Sequence, residues 1–231
     1  MSKIKVVLWD IDGTLLNFAA AEKAAIRKCF ESHKLGVCTD KMLAQYVEIN
    51  HKYWKMLERG ELTKPEVLVG RFQEFFFAQE LDVSKAPAFN EEYQVRLGDT
   101  VCFEENGLEV IKALKGKVLQ CAVTNGTKVA QKRKLANSGL DKLLDYIFIS
   151  DEIGIEKPMI GFFDAVWAVI GKFAPEEVLI VGDSLTSDMQ GGYNAGILTC
   201  WYNPADAVNA SGLELDYIIT NLKQVLDIVL K

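Results

Sequence analysis

The chain has 231 residues, with 26 Lys and Arg against 32 Asp and Glu, a net charge of −6 and 49% hydrophobic residues. This is a folded globular composition, long enough for one large α/β domain or for a core carrying a smaller second domain. The acidic balance argues against a nucleic-acid backbone as main partner, because no surplus or run of Lys and Arg supplies the attraction, and no apolar run is long enough to span a bilayer.

The first expected element is a strand at Lys5–Asp10. It begins within five residues of Met1 and is followed at once by acidic residues, so no signal peptide is expected, since that needs a longer apolar segment and a small-residue cleavage site. The five cysteines are odd in number and form no CxxC pair, as expected of reduced, small, buried apolar groups in a cytoplasmic protein, with no zinc signal.

From Phe18 to Arg96 no strand is expected, only helical periodicity, as at Ala20–Glu31, Lys41–Arg59 and Pro65–Glu80. These 79 residues carry 12 basic and 12 acidic side chains, 11 of the 23 aromatics and both histidines, so the charge of −6 falls on the remainder. Residues 18–96 therefore read as an all-helical insertion, with residues 1–17 and 97–231 as the core. Phe72, Phe75, Phe76 and Phe77 are expected mainly to pack helices together, and His51 reads as a helix residue rather than a catalyst.

After the insertion, strands are expected at Val118–Thr124, Asp145–Ser150, Val178–Asp183 and Ile197–Tyr202. Helices are expected at Leu108–Lys115, Lys128–Ser138, Gly161–Gly171, Ser187–Ala195 and Leu222–Leu230, with Gly139 and Gly196 as stops. The strands are near-continuous apolar runs, as in parallel strands covered on both faces. Their alternation with helices points to an α/β fold, a Rossmann-like doubly wound parallel sheet.

Chemistry-bearing residues fall at the carboxyl ends of these strands, where open α/β sheets place ligands. The first strand ends in Asp10-Ile11-Asp12-Gly13-Thr14, two carboxylates that need a cation or positive side chain between them. The second ends in Thr124-Asn125-Gly126, suited to phosphate oxygens through hydroxyl and backbone N–H. Lys157-Pro158 follows the third, and Gly182-Asp183 with Asp188 ends the fourth. Each piece alone reads as a turn; four in order do not.

In this order the four motifs resemble those of the haloacid dehalogenase (HAD) superfamily, and the resemblance covers essentially the whole chain, including a helical cap inserted after the first motif. Further stretches are similar to the YjjG-type pyrimidine 5′-nucleotidases. They include Ile149–Gly154, Gly191-Gly192-x-Asn194-Ala195-Gly196, Thr199-Cys200-Trp201, and Asn50, Trp54, Gly60, Arg71 and Phe72 in the insertion. Two departures are Trp9, where Phe is usual, and Phe103–Gly107, which lacks the usual prolines.

The resemblance implies a phosphomonoesterase acting on a small-molecule phosphate ester, most readily a pyrimidine nucleoside monophosphate. Asp10 would be the nucleophile and Asp12 the general acid and base, a residue the dehalogenases lack. Lys157 would offset charge, and Thr124 with the Asn125 and Gly126 backbone would hold phosphate oxygens. Mg²⁺ would be bound by Asp10, the Asp12 carbonyl and Asp183, with Asp188 behind them. Asn50, Trp54 and Arg71 would set specificity as the cap closes. The alternatives are a phosphosugar phosphatase or mutase on the same core, and an inactive core used as a binding module; the sequence does not decide between monomer and dimer.

Overall fold

The structure, a computed structural model, describes residues 3–231. It has two compact units, Met1–Phe18 with Val101–Lys231, and Ala19–Thr100.

The first unit is built on a six-stranded sheet: β1 (Val6–Trp9), β2 (Leu119–Thr124), β3 (Tyr146–Ile149), β4 (Val178–Gly182), β5 (Leu198–Tyr202) and β6 (Tyr217–Ile219). The order is β3-β2-β1-β4-β5-β6 and every pairing is parallel. β1 is buried on both faces: Val7 and Trp9 join one apolar cluster, Val6 and Leu8 the other. That is why its sequence does not alternate. The expected doubly wound sheet is thus present, with one strand more than the sequence suggested. β6 has only three residues, too few for a periodic signal.

Helices of this unit are α5 (Gly107–Leu114), α6 (Lys128–Ser138), α7 (Leu140–Leu143), α8 (Ser150–Ile153), α9 (Ile160–Ile170), α10 (Gln190–Ala195) and α11 (Gln224–Val229). Two expectations need correction. The helix expected at Ser187–Ala195 begins instead as a π turn over Leu185–Met189, where the Ser184 hydroxyl accepts from Ser187 N at 3.1 Å. The last helix starts at Gln224, because Gln224 Oε1 accepts from the Thr220 and Asn221 amides and fixes the preceding residues as a turn.

The second unit is built from α1 (Phe18–Ser32), whose first residue, Phe18, belongs to the first unit, with α2 (Asp40–Glu58), α3 (Lys64–Ala78) and α4 (Ala86–Asp99). Thr39 caps α2 by accepting from Met42 N, and Thr63 with Glu66 forms a reciprocal capping box at α3. Its core is aromatic: Phe72 lies 5.0 Å from Tyr46 and from Phe89, ring centre to ring centre, and Phe75 and Phe76 are buried beside them. Phe77 points outward and is 79% exposed, since its helix faces the core through the other three. The cysteines are free and four are buried. Cys102, on the irregular segment between α4 and α5, is exposed, against the expectation for all five. Among the described residues no helix is long and apolar enough to cross a membrane.

Candidate active site

Sheet register gathers the motifs. Trp9 lies opposite Ala122 of β2 and Val181 of β4, so the residues after β1, β2 and β4 emerge at one edge. Trp9, the unusual residue before the first motif, is fully buried, and its indole N–H donates to Gln120 Oε1 at 3.2 Å.

Asp10 continues the ladder by donating N–H to Val181 O at 2.9 Å. The chain then turns back at Gly13, whose φ of +89° favours glycine. A side chain there would also collide: a Cβ would stand 2.6 Å from Asp183 Oδ2. Gly182 makes the same allowance for Asp188, whose Cγ would lie 2.2 Å from a Cβ. Two glycines thus let the carboxylates crowd together.

Lys157 holds the cluster. Its side chain is buried, and its ammonium donates to Asp10 Oδ1 at 2.9 Å, Asp188 Oδ1 at 2.6 Å and Val123 O at 2.7 Å, one acceptor for each proton. Asn125 fixes the Lys157 loop: its Oδ1 accepts from Lys157 N at 2.9 Å and its Nδ2 donates to Lys157 O at 2.8 Å. This latch role for the Asn125 side chain was not foreseen. Thr124 Oγ1 accepts from Gly126 N at 3.1 Å, so the hydroxyl and amide assigned to phosphate oxygens lie against each other.

Asp10, Asp183 and Asp188 each offer a carboxylate oxygen within 4.8 Å of the others. Asp188 is engaged at both oxygens, by Lys157 and by Ser184 N at 3.1 Å. Asp183 accepts from Thr14 Oγ1 at 3.2 Å. Three carboxylates around one ammonium leave negative charge in excess. Burial pushes the Asp10 carboxyl up to about 7, with Asp188 and Asp12 adding to the rise and Lys157 opposing it. Asp183 is open to solvent on one side, yet the protein packed around its carboxyl, with the Asp10 and Asp188 charges, lifts it well above the carboxylate range. Burial alone would favour neutral Lys157, but Asp10 and Asp188 outweigh it and hold the ammonium charged. The donors are hard oxygens without imidazole or thiolate, and their negative charge exceeds what the one ammonium offsets, so they fit a small divalent ion such as Mg²⁺.

Sequence reasoning missed the partners of Asp12. Its Oδ1 is bonded by the Lys134 ammonium and its Oδ2 by Gln131 Nε2, the latter at 2.6 Å. The only signal was a spacing of three on the helix after the second motif, and a lone lysine there reads as a solvated one.

Asn50, Trp54 and Arg71 lie together within the helical unit. Asn50 and Arg71 are buried; Asn50 donates to Glu22 Oε1 at 2.8 Å and accepts from Arg71 Nη1 at 2.5 Å. Arg71 also reaches Asn90 Oδ1 at 3.3 Å, and its guanidinium lies 5.9 Å from the centre of the Trp54 ring.

With this sheet, this insertion point and these strand-end residues, the chain belongs to the haloacid dehalogenase-like hydrolases, a family that matches residues 7–202. The HAD-hydrolase YfnB of Bacillus subtilis (strain 168) is 34% identical over 229 residues, covering 99% of this chain and 97% of its own. The pyrimidine 5′-nucleotidase PynA of Streptococcus pneumoniae is 34% identical over 226 residues, covering 96% and 94%. The pyrimidine 5′-nucleotidase YjjG of Escherichia coli (strain K12) is 26% identical over 225 residues, covering 97% of each chain. A solved structure of YfnB bound to magnesium matches with a TM-score of 0.92 at 33% identity, over 97% of this chain and 98% of that one.

Proposed function

We propose that the protein is a Mg²⁺-dependent phosphomonoesterase that works through an aspartyl-phosphate on Asp10 and acts on nucleoside 5′-monophosphates, pyrimidines preferred. The observation that carries this reading is the Lys157 ammonium held between Asp10 and Asp188, with Asp183 completing a carboxylate cluster at the sheet edge.

Lys157 engages Asp10 at Oδ1 and leaves Oδ2 to attack phosphorus. Asp12 gives a proton to the departing sugar oxygen and later accepts one from the water that cleaves the acyl phosphate. Thr124 Oγ1 and the Asn125 and Gly126 amides take the phosphate oxygens, which replace the contact between Thr124 and Gly126. Mg²⁺, held by the Asp10 and Asp183 carboxylates and the Asp12 carbonyl with Asp188 behind them, supplies the positive charge that the phosphate dianion needs beside three carboxylates.

Support for the leaving group comes from PynA and YjjG, both pyrimidine 5′-nucleotidases. Asn50, Trp54 and Arg71 are the proposed specificity residues. The test is a panel of phosphate esters assayed with Mg²⁺. UMP, dUMP and TMP are expected to exceed sugar phosphates in kcat/KM by about tenfold or more, the scale of a few good contacts. Vigorous hydrolysis of sugar phosphates with none of these three nucleotides sinks the nucleotide assignment.

Metal binding is tested apart from turnover. The folded Asp10 carboxyl stands at about 7, above the ordinary value of about 3.9, so the metal-free fold favours its protonated form. Its ionisation therefore costs stability progressively as pH rises from about 4 to about 7. Mg²⁺ binds the ionised form and removes that cost. The Tm increment from Mg²⁺ is expected to be larger at about pH 8 than at about pH 5. Equal increments, or none, contradict the metal assignment.

A further inference from the structure

Resting on the proposed reaction, we propose that Lys134 and Gln131 are positioning residues that clamp the Asp12 carboxylate for proton transfer. Each supplies one donor to one oxygen, Lys134 Nζ to Oδ1 and Gln131 Nε2 to Oδ2. They stand three residues apart on one face of α6, so a single rigid helix sets both contacts. That helix starts directly after Thr124-Asn125-Gly126 and is capped by Thr127, whose hydroxyl accepts from Ala130 N at 3.3 Å. The segment assigned to phosphate and the clamp on Asp12 thus share one anchor.

The arrangement is expensive as packing. Lys134 is 1% and Gln131 0% exposed. Gln131 Oε1 is buried without a hydrogen-bond partner, a loss that an apolar side chain at this position avoids. The Lys134 ammonium has the Phe18 ring at 5.1 Å and the Asp12 oxygen as its compensation. Space is also reserved for the clamp: a Cβ on Gly126 would lie 2.1 Å from Gln131 Nε2. Two buried polar side chains and a glycine therefore converge on one carboxylate that sits on a turn.

A general acid on a turn loses rate when it swings. Fixing both oxygens sets the plane of the carboxyl, and each oxygen keeps a lone-pair direction free for the reacting oxygen. In the first step the bond from phosphorus to the sugar oxygen breaks as the bond to Asp10 forms, and the Asp12 proton passes to the sugar oxygen. In the second, Asp12 accepts a proton from the attacking water.

The experiment compares kcat/KM for UMP with that for p-nitrophenyl phosphate, using the full chain with Mg²⁺. Nitrophenolate leaves without protonation, and kcat/KM reports only steps up to transfer onto Asp10. Lys134→Met and Gln131→Met are each expected to lower the UMP value about ten- to a hundredfold more than the nitrophenyl value. Gln131→Met removes a donor without changing charge, and it carries the test alone where Lys134→Met does not fold. An equal loss on both substrates, or no loss on either, overturns the clamp while leaving the phosphatase reading intact. A wild-type protein inactive on both overturns both.

Discussion

Asp10→Asn is expected to fold normally and to lose at least about four orders of magnitude in kcat, because the amide cannot form the acyl phosphate. The substitution is nearly isosteric, and its Oδ1 still accepts from Lys157. It also removes a carboxylate whose ionisation the fold disfavours, since burial and the Asp188 charge hold Asp10 at about 7. Without Mg²⁺ at about pH 8, the variant is therefore expected to melt at or above the wild-type temperature. A carboxylate that destabilises its own fold is characteristic of a site built for reaction. Melting curves and a nucleotidase assay read the two halves separately; retention of more than about 1% of wild-type turnover refutes the nucleophile assignment.

Lys157→Met is the second large effect, and it strikes stability as well as rate. The ammonium is buried and satisfies Asp10, Asp188 and the Val123 carbonyl at once. Removing it leaves Asp10, Asp183 and Asp188 facing one another without internal counter-charge. Breaking a buried pair by deleting one partner costs about 3–5 kcal/mol, and Met offers only apolar packing in return. The loss is expected to be smaller at about pH 5, where Asp10 is protonated and the repulsion weaker. Arginine is no substitute, because its planar fork cannot place one point charge among three acceptors. Urea titrations at both pH values check the expectation; wild-type stability at about pH 8 would show that the lysine does not hold the cluster together.

The fold was legible where burial on both faces left long apolar runs. β1, β2 and β4 were readable for that reason, and with them Asp10, Thr124 and Asp183 at their ends. The site was legible because sheet register, and no long-range guess, brings those ends together. What escaped notice depends on tertiary contact. Gln131 and Lys134 meet Asp12 from more than a hundred residues away, and a lysine in a polar helix carries no mark of burial. The Asn125 side chain escaped for a related reason: an amide suited to phosphate is equally suited to two backbone groups of the Lys157 loop. β6 is too short to show a period, and Cys102 faces solvent between Val101 and Phe103, which pack against the core.

The most direct measurement is to trap the covalent intermediate. Protein quenched in acid during steady turnover of dUMP with Mg²⁺ is expected to carry one phosphoryl group, located by peptide mass spectrometry on Asp10 and absent from Asp10→Asn. Rapid hydrolysis with no phosphoryl group on the protein, or with the group on another residue, contradicts phosphoryl transfer to Asp10.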